Sequence, residues 1–383
     1  MKSKKIFVFA GESSGDMHVA SLIRELKNII PEISITGIGG PEMLKENADL
    51  LYDLKQVNFI GFSSVIRNIK KIKSILNKCI SEIKKNNPDA VILVDYPGFN
   101  LKLIKEIRKF YTGKIIYYIS PQLWAWHKSR VKIIQKFVDL MLVVFPFEVE
   151  FYEKENVKAV FVGHPLIKRV DKFLDSNVKQ VSDHTVISIL PGSRKDEIER
   201  MLPVLVQTAS LLKKEFDAEI NFICSSNFHK NFYEEKISDK DFNIIYDENN
   251  SDLNYKTILN SDLVITKSGT STMECALIGT PFCVVYKTGN LNYAIGKRLV
   301  DVEHIAMVNI LLKRKAVKEF LQDEMTAENI FEEAKRIIND NEYSEKIRSG
   351  FTELREVLGK SDASLNAAKE IASLINNQNQ VIE

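Results

Sequence analysis

Short apolar runs alternate along this chain with longer stretches whose apolar positions recur at helical spacing. The runs at 5–10, 34–38, 90–95, 114–119, 140–145 and 159–162 predict strands in the first half. Those at 185–190, 219–224, 243–246, 263–266 and 282–286 predict strands in the second. Several, such as Ala90-Val91-Ile92-Leu93-Val94 and Leu140-Met141-Leu142-Val143-Val144, are apolar on both faces. Such strands belong in a parallel sheet covered by helices on each side. Alternating strands and helices imply βαβ crossovers and a doubly wound architecture. Gly163-His164-Pro165 ends one apolar run, 171–184 is mostly polar, and Val186 to Leu190 opens a second series. The reading is an α/β chain of two doubly wound, Rossmann-like domains facing a cleft, with a boundary at 168/169. The tail from about residue 313 reads as helical and charged, and its last apolar positions (Leu365, Ala368, Ile371, Leu374, Ile375) need a surface to pack on.

Composition narrows the classes. A length of 383 residues fits two domains, and 45% hydrophobic content gives each a core. A formal net charge of +2 supplies no global field for nucleic acid. No apolar run reaches the ~18 to 20 residues of a membrane span, and Phe7 to Phe9 reads as a first strand rather than a signal segment, so a cytoplasmic protein is expected. Cys79, Cys224, Cys275 and Cys283 lack C-x-x-C spacing, which argues against a metal site or disulfides.

Chemistry-bearing residues gather where strands hand over to helices. In Gly11-Glu12-Ser13-Ser14-Gly15-Asp16, after the first strand, Gly, Ser and Asp leave backbone N–H groups free at a helix N-terminus for an oxygen-rich ligand. Lys267-Ser268-Gly269-Thr270-Ser271-Thr272 repeats the arrangement in the second half; its hydroxyl-rich turn, 268–272, suits a diphosphate, while Glu274 suits ribose hydroxyls. An ordinary helix cap with an early Glu has the same sequence. In Leu190-Pro191-Gly192-Ser193-Arg194, Gly192 and Ser193 free backbone donors and Arg194 offers a fork for phosphate oxygens, or a surface salt bridge. The following Lys195 to Glu199 reads as an exposed helix start. Asp95 ends a buried strand where a carboxylate can take a proton from an attacking hydroxyl; Glu12 is its rival, and a helix cap is the other reading. Asn100 reads as serving the turn. Ser120 to His127 carries both tryptophans, which line a cleft or anchor a core, and His127 reads as structural. Gly37-Ile38-Gly39-Gly40-Pro41 lacks the third glycine of a dinucleotide fingerprint and reads as a turn. Between 57 and 80, Phe62, Val65, Ile66, Ile69, Ile72 and Leu76 accompany Arg67, Lys70, Lys71, Lys73 and Lys78. That pattern fits an interfacial helix on anionic lipid, with a core-facing amphipathic helix as the alternative.

Seven motifs in order carry a resemblance: Ala10 to Asp16, Asp95-Tyr96-Pro97-Gly98-Phe99-Asn100, Ser120-Pro121-Gln122-Leu123-Trp124-Ala125-Trp126, Phe145-Pro146-Phe147-Glu148, Gly163-His164-Pro165, Leu190 to Arg194, and Ser268 to Glu274. Together they resemble the lipid-A-disaccharide synthase family, inverting glycosyltransferases of the GT-B architecture, from about residue 5 to at least 312. The resemblance implies transfer from UDP-2,3-diacylglucosamine to 2,3-diacylglucosamine 1-phosphate (lipid X), giving a β-1,6-linked disaccharide 1-phosphate and UDP, with no metal and no other cofactor. It implies Asp95 as base and Glu12 as an essential carboxylate, with Ser13, Ser14 and Asp16 on the acceptor side. It implies Ser193, Arg194, Ser268, Gly269, Thr270, Glu274 and Asn309 around UDP. By the same analogy residues 1–168 form the acceptor and membrane side, 169–355 bind the UDP-sugar, and a helix over 356–383 returns to the first domain. The implied partners are the two substrates, the cytoplasmic face of the inner membrane through Phe62, Val65, Ile66 and Ile69, and a second copy of the chain. The chain departs from the family pattern at Val308, where proline is usual, at Lys313, where glycine is common, and at His127, where arginine or lysine is frequent. The rivals are another UDP-sugar enzyme of this architecture, such as an epimerase or soluble-acceptor transferase, and a silent UDP-sugar or lipid-binding module. The presence of Asp95, Glu12, Arg194 and Glu274 together favours an enzyme.

Overall fold

The structure is a computed structural model that describes residues 3–54, 69–124, 130–237, 241–247, 252–289, 293 and 303–376. The chain divides into two compact units, Met1–Pro165 with Ser361–Glu383, and Leu166–Lys360.

The first unit is built on seven parallel strands: β1 (Lys5–Ala10), β2 (Ser34–Gly39), β3 (Asp49–Asp53), β4 (Ala90–Val94), β5 (Lys114–Tyr118), β6 (Leu140–Val143) and β7 (Ala159–Phe161). Their order is β3-β2-β1-β4-β5-β6-β7, so the winding reverses between β1 and β4. All five residues of β4 are buried, because helices cover both faces of the sheet. The helices are α1 (Ser13–Ile29), α2 (Pro41–Lys45), α3 (Ile69–Asn86), α4 (Pro97–Ile107), α5 (Val131–Phe137) and α6 (Pro146–Lys154). One face carries Phe7, Val91, Leu93 and Tyr117 against Ile75, Cys79, Ile83, Ile104 and Ile134. The other carries Val8, Ile92, Ile116 and Leu142 against Val19, Leu22, Ile23 and Leu26 of α1.

The second unit repeats the plan with β8 (Val186–Leu190), β9 (Glu219–Cys224), β10 (Asn243–Tyr246), β11 (Leu263–Lys267), β12 (Phe282–Tyr286) and β13 (Glu319–Leu321). All pairs are parallel, in the order β10-β9-β8-β11-β12-β13, and the reversal lies between β8 and β11. Its helices are α7 (Pro165–Leu174), α8 (Lys195–Phe216), α9 (Lys230–Glu234), α10 (Leu253–Asn260), α11 (Thr270–Ile278), α12 (Met307–Leu312), α13 (Ala327–Asn339) and α14 (Asn341–Leu358). The chain then returns as α15 (Ala363–Asn376), whose Ala367, Ala368, Ile371 and Ile375 join the face of the first sheet that α1 covers. The tail's apolar stripe thus completes a core far away in sequence.

Three local outcomes differ from the sequence expectations. The Gly37–Gly40 stretch is mostly strand: β2 runs through Gly39, and only Gly40 precedes α2. Glycine is required at 37, where φ is +159° and a Cβ would stand 1.9 Å from the Val8 carbonyl oxygen on β1. The edge strands β3 and β13 carry charged residues at Asp49, Asp53 and Glu319, so neither shows the doubly apolar pattern. In the 57–80 segment, Ile75, Leu76 and Cys79 of α3 pack into the sheet core rather than continuing an outward apolar stripe.

Candidate active site

In a doubly wound sheet the strand order opens a crevice at the carboxyl edge where the winding reverses. The loops after β1 and β4 carry Glu12 and Asp95. The loops after β8 and β11 carry Arg194 and the 268–272 turn. Each pair therefore flanks the reversal point of its own sheet.

In the first unit the corner after β4 is held in an uncommon backbone conformation. Asp95 and Tyr96 have φ of 42° and 50°, and Ile119, after β5, has φ of 60°. A β-branched residue there is a genuine outlier, and each such residue costs about 1–3 kcal/mol, tolerated only where surrounding bonds fix it. Those bonds are present. The Asn100 side-chain amide donates to the carbonyls of Val94 (3.1 Å) and Asp95 (2.6 Å), and the Tyr117 hydroxyl donates to the Asp95 carbonyl. The Asp95 N–H points at the carbonyls of Tyr118 and Ile119, both at 3.3 Å. Gly11 gives the Tyr96 ring room: a Cβ at 11 would lie 2.9 Å from it. Asn100 thus serves the turn, as its sequence setting suggests.

The Asp95 side chain retains open surface, yet protein atoms crowd its carboxyl. That desolvation, with the Glu12 charge acting in the same direction, pushes the Asp95 carboxyl up to about 6, against a weaker opposing hydrogen bond from the Tyr96 backbone. A carboxylate in this range suits a base working near neutrality. Glu12 is the exposed N-cap residue of α1, and Ser13 and Ser14 are exposed in its first turn. Asp16 departs from its expected acceptor role. It is 1% exposed and accepts from the backbone N–H groups of Gly40 (2.7 Å), Glu42 (3.0 Å) and Met43 (3.1 Å), tying α1 to the start of α2. Of the expected lipid-facing residues, Phe62, Val65 and Ile66 lie outside the described residues, and Ile69 is 62% exposed at the start of α3.

Around β5 and β6, Trp124 is buried edge-on to Phe147, and its indole N–H donates to Glu148 at 3.2 Å. Glu148 also accepts from the Phe145 N–H at 3.2 Å, and burial pushes its carboxyl up to about 8. Trp124 is therefore a core anchor. Trp126 and His127 lie outside the described residues.

In the second unit, Gly192 (φ +102°) turns the chain after β8 and leaves Ser193 and Arg194 exposed. Arg194 caps α8 and donates to Glu197 at 3.3 Å. Glu197 is buried rather than exposed, and it also pairs with Lys267, the last residue of β11, at 3.0 Å. After β11, Gly269 and Thr270 are exposed at the N-terminus of α11. The Thr272 hydroxyl donates to the Gly269 carbonyl (2.7 Å), and the Ser268 hydroxyl donates to the Ile305 carbonyl (3.2 Å). Glu274 accepts from the Tyr255 hydroxyl at 2.9 Å. Burial raises its carboxyl, opposed first by the Tyr255 hydrogen bond and then by the charge of Arg169, which lies 5.0 Å from the Tyr255 ring centre.

Asn309 departs from the expected nucleotide contact. It is fully buried, donates to the Val317 carbonyl (2.9 Å) and Glu319 (2.8 Å), and accepts from the N–H groups of Ala316 (2.8 Å) and Val317 (3.0 Å). An amide offers two donors and two acceptor sites, and all four are engaged. Glu319 in turn accepts from the Ile305 and Ala306 N–H groups, so the pair fixes the segment that receives the Ser268 hydroxyl. Sequence reasoning missed Glu197, Tyr255, Arg169 and Glu319, and included Lys267 in the second junction without giving it a role of its own. A lysine closing a strand beside a Gly-Ser turn was the one local signal.

A family model described as Lipid-A-disaccharide synthetase matches residues 6–375. Lipid-A-disaccharide synthase of Geobacter sulfurreducens is 36% identical over 387 residues, covering 98% of each chain. Lipid-A-disaccharide synthase 1 of Legionella pneumophila is 33% identical over 368 residues, covering 94% of this chain and 95% of the relative. Among solved structures, an S. aureus MnaA–UDP co-structure superposes with a TM-score of 0.68 at 14% identity, over 99% of this chain and 98% of that one. MurG of Acinetobacter baumannii gives 0.52 at 14% identity, over 98% and 99%. At such identities the structural likeness carries the two-domain GT-B fold alone.

Proposed function

The chain belongs to the lipid-A-disaccharide synthetase family, glycosyltransferases of lipid A biosynthesis, and from that premise we propose its substrates and the division of labour among its residues. The donor is UDP-2,3-diacylglucosamine and the acceptor is 2,3-diacylglucosamine 1-phosphate, lipid X. The acceptor 6-hydroxyl, losing its proton to Asp95, attacks the anomeric carbon as the bond to the diphosphate breaks. A β-1,6-linked disaccharide 1-phosphate forms and UDP leaves. Glu12 keeps the Asp95 carboxyl basic and, with Ser13 and Ser14, faces the acceptor. Arg194, Ser193 and the N–H groups of Gly269 and Thr270 take up the charge that grows on the leaving diphosphate. Glu274, oriented by Tyr255, holds the ribose.

The observation that carries this reading is the Asp95 corner: a strained, over-determined backbone that presents a carboxyl raised to about 6 beside a second acid. The GT-B fold alone is equally compatible with an epimerase, since a UDP-GlcNAc 2-epimerase of Neisseria meningitidis bound to UDP-GlcNAc gives a TM-score of 0.65. The family match separates the two. The test is incubation with the two diacylated substrates. Disaccharide phosphate and UDP in equal amounts are expected, and folded protein yielding neither would refute the assignment. Asp95→Asn should abolish turnover while UDP binding survives; near wild-type turnover would remove Asp95 as base.

We also propose that the first unit rests on the cytoplasmic face of the inner membrane through Phe62, Val65, Ile66 and Ile69. Exposed Ile69 beside Lys70, Lys71, Lys73 and Lys78 supports the membrane contact. Among the described residues no helix is long and apolar enough to cross a membrane. Replacing Phe62, Ile66 and Ile69 with Ser should weaken sedimentation with anionic vesicles and leave thermal unfolding unchanged; unaltered sedimentation would remove this surface.

A further inference from the structure

Lys267 lies between the two junctions that flank the reversal point of the second sheet, and its surroundings are unlike those of an ordinary surface lysine. Its stem crosses Gly192: a Cβ on that glycine would stand 3.3 Å from both Cγ and Cδ. Its ammonium lies 3.9 Å from the point where a Cβ on Gly269 would stand, and 5.6 Å from the Tyr286 ring centre. The side chain is 15% exposed. Any side chain at 192 would press on this path, so the glycine turn and the lysine fit each other.

Its partner Glu197 is a single carboxylate serving two cations. One oxygen accepts from Arg194 at 3.3 Å and the other faces Lys267 at 3.0 Å. Two cations against one anion leave a local excess of one positive charge. That excess sits beside the exposed Ser193, Gly269 and Thr270 and the positive end of α11, a helix of nine residues. A lysine present only to neutralise Glu197 would be redundant with Arg194. A phosphate arriving at this edge would be met by both cations, with Glu197 holding them in place beforehand.

We propose that Lys267 is a diphosphate-binding residue, a second cation beside Arg194 that Glu197 holds ready between the 191–194 loop and the 268–272 turn. The proposal rests on the reading of this edge as the UDP subsite and adds a residue to it. In the transfer reaction the Lys267 ammonium shares with Arg194 the negative charge that accumulates on the departing UDP.

The test compares UDP with uridine, which has no phosphate, on the full-length protein. Lys267→Met should bind UDP about tenfold more weakly, Lys267→Arg should recover most of that loss, and uridine should bind all three proteins equally. UDP affinity in Lys267→Met within twofold of wild type would overturn the proposal, as would parallel losses for UDP and uridine. Arg194→Met is measured alongside. If it weakens UDP and Lys267→Met does not, the lysine proposal alone fails. If neither does, the reading of this edge as a phosphate site fails with it. Should Lys267→Met not fold, amine acetylation of the wild-type protein mapped by mass spectrometry decides. UDP but not uridine is expected to slow modification of Lys267, and equal labelling with both would overturn the proposal.

Discussion

Lowering the pH should switch the transfer reaction off well above the range in which an ordinary aspartate titrates. With the Asp95 carboxyl at about 6, about nine-tenths is ionised at pH 7 and about one-tenth at pH 5, so kcat/KM should fall about tenfold between them. An aspartate at its usual 3.8 would lose only about 6% over the same interval. The causes separate by mutation. Burial is the larger and Glu12 the smaller, both raising the value. Glu12→Gln removes a like charge and should move the acid limb to lower pH, but burial remains, so the limb should stay above 3.8. The assay is UDP release from the two substrates at subsaturating acceptor between pH 4.5 and 8.5, with circular dichroism at each pH. The position of the limb is read, not its height, because Glu12→Gln should also lower the rate. A profile flat from pH 7 to pH 5, or a limb that Glu12→Gln leaves in place, would refute the assignment of this corner as base and charge partner.

Asn309→Ala strands two backbone N–H groups and one side of the Glu319 carboxylate, and should cost about 2–4 kcal/mol in urea unfolding. A loss below 0.5 kcal/mol, on the order of a surface change, would show that the buried network carries little. Gly37→Ala should abolish soluble expression, because a Cβ would meet the Val8 carbonyl oxygen at 1.9 Å; a folded variant would mean β1 and β2 can separate there. His164 and Glu148 should tilt stability against pH in opposite senses. Burial lowers His164 from 6.5 to about 3, so the unfolded chain takes up the proton first and stability falls as pH drops from about 6.5 towards 3. Burial raises Glu148 from 4.5 to about 8, so the folded state binds the proton more tightly and stability falls as pH rises through 4.5 to 8. Against wild type, His164→Asn should gain at acid pH and Glu148→Gln at alkaline pH, each at up to about 1.4 kcal/mol per pH unit; equal slopes in urea titrations would contradict both.

The central strands were legible because burial on two faces demands apolar residues at every position, and β4 and β6 have them. The edge strands β3 and β13 were not, because one open edge and partial cover admit Asp49, Asp53 and Glu319. The family's motifs were legible for a related reason: loops that follow inner parallel strands must carry Gly and small polar residues if a ligand is to reach the sheet edge. What those loops could not reveal was which polar residue faces the ligand. Asp16 and Glu12 stand four apart in one motif, yet the partner that claims Asp16 is the backbone of 40–43, contributed by a different βα connection. The claim on Asn309 comes from 316–319, beyond the end of its own helix.

A physical rule separates the two groups. Three polar side chains buried near the carboxyl edge are bound to backbone: Asp16 to Gly40 and Met43 and Glu319 to Ile305 and Ala306, each in another connection, and Asn100 to Val94 and Asp95 in its own corner. Asp16 and Glu319 each hold two connections in register, Asn100 fixes its own corner, and each would cost several kcal/mol to divert to a ligand. Where a polar residue at the same edge remains exposed, as do Glu12, Asp95, Ser193, Arg194 and Thr270, no such claim fixes it and a substrate can be its main partner. Lys267 and Glu274 fall between the classes. Both are largely enclosed, but they pair with side chains, Glu197 and Tyr255, which can exchange partners without disturbing a loop backbone. The chemistry of this enzyme is therefore expected from the exposed and side-chain-paired groups, and its precision from the backbone-bound ones. Mutations in the first set should change rate or nucleotide affinity at constant stability, and mutations in the second should change both together.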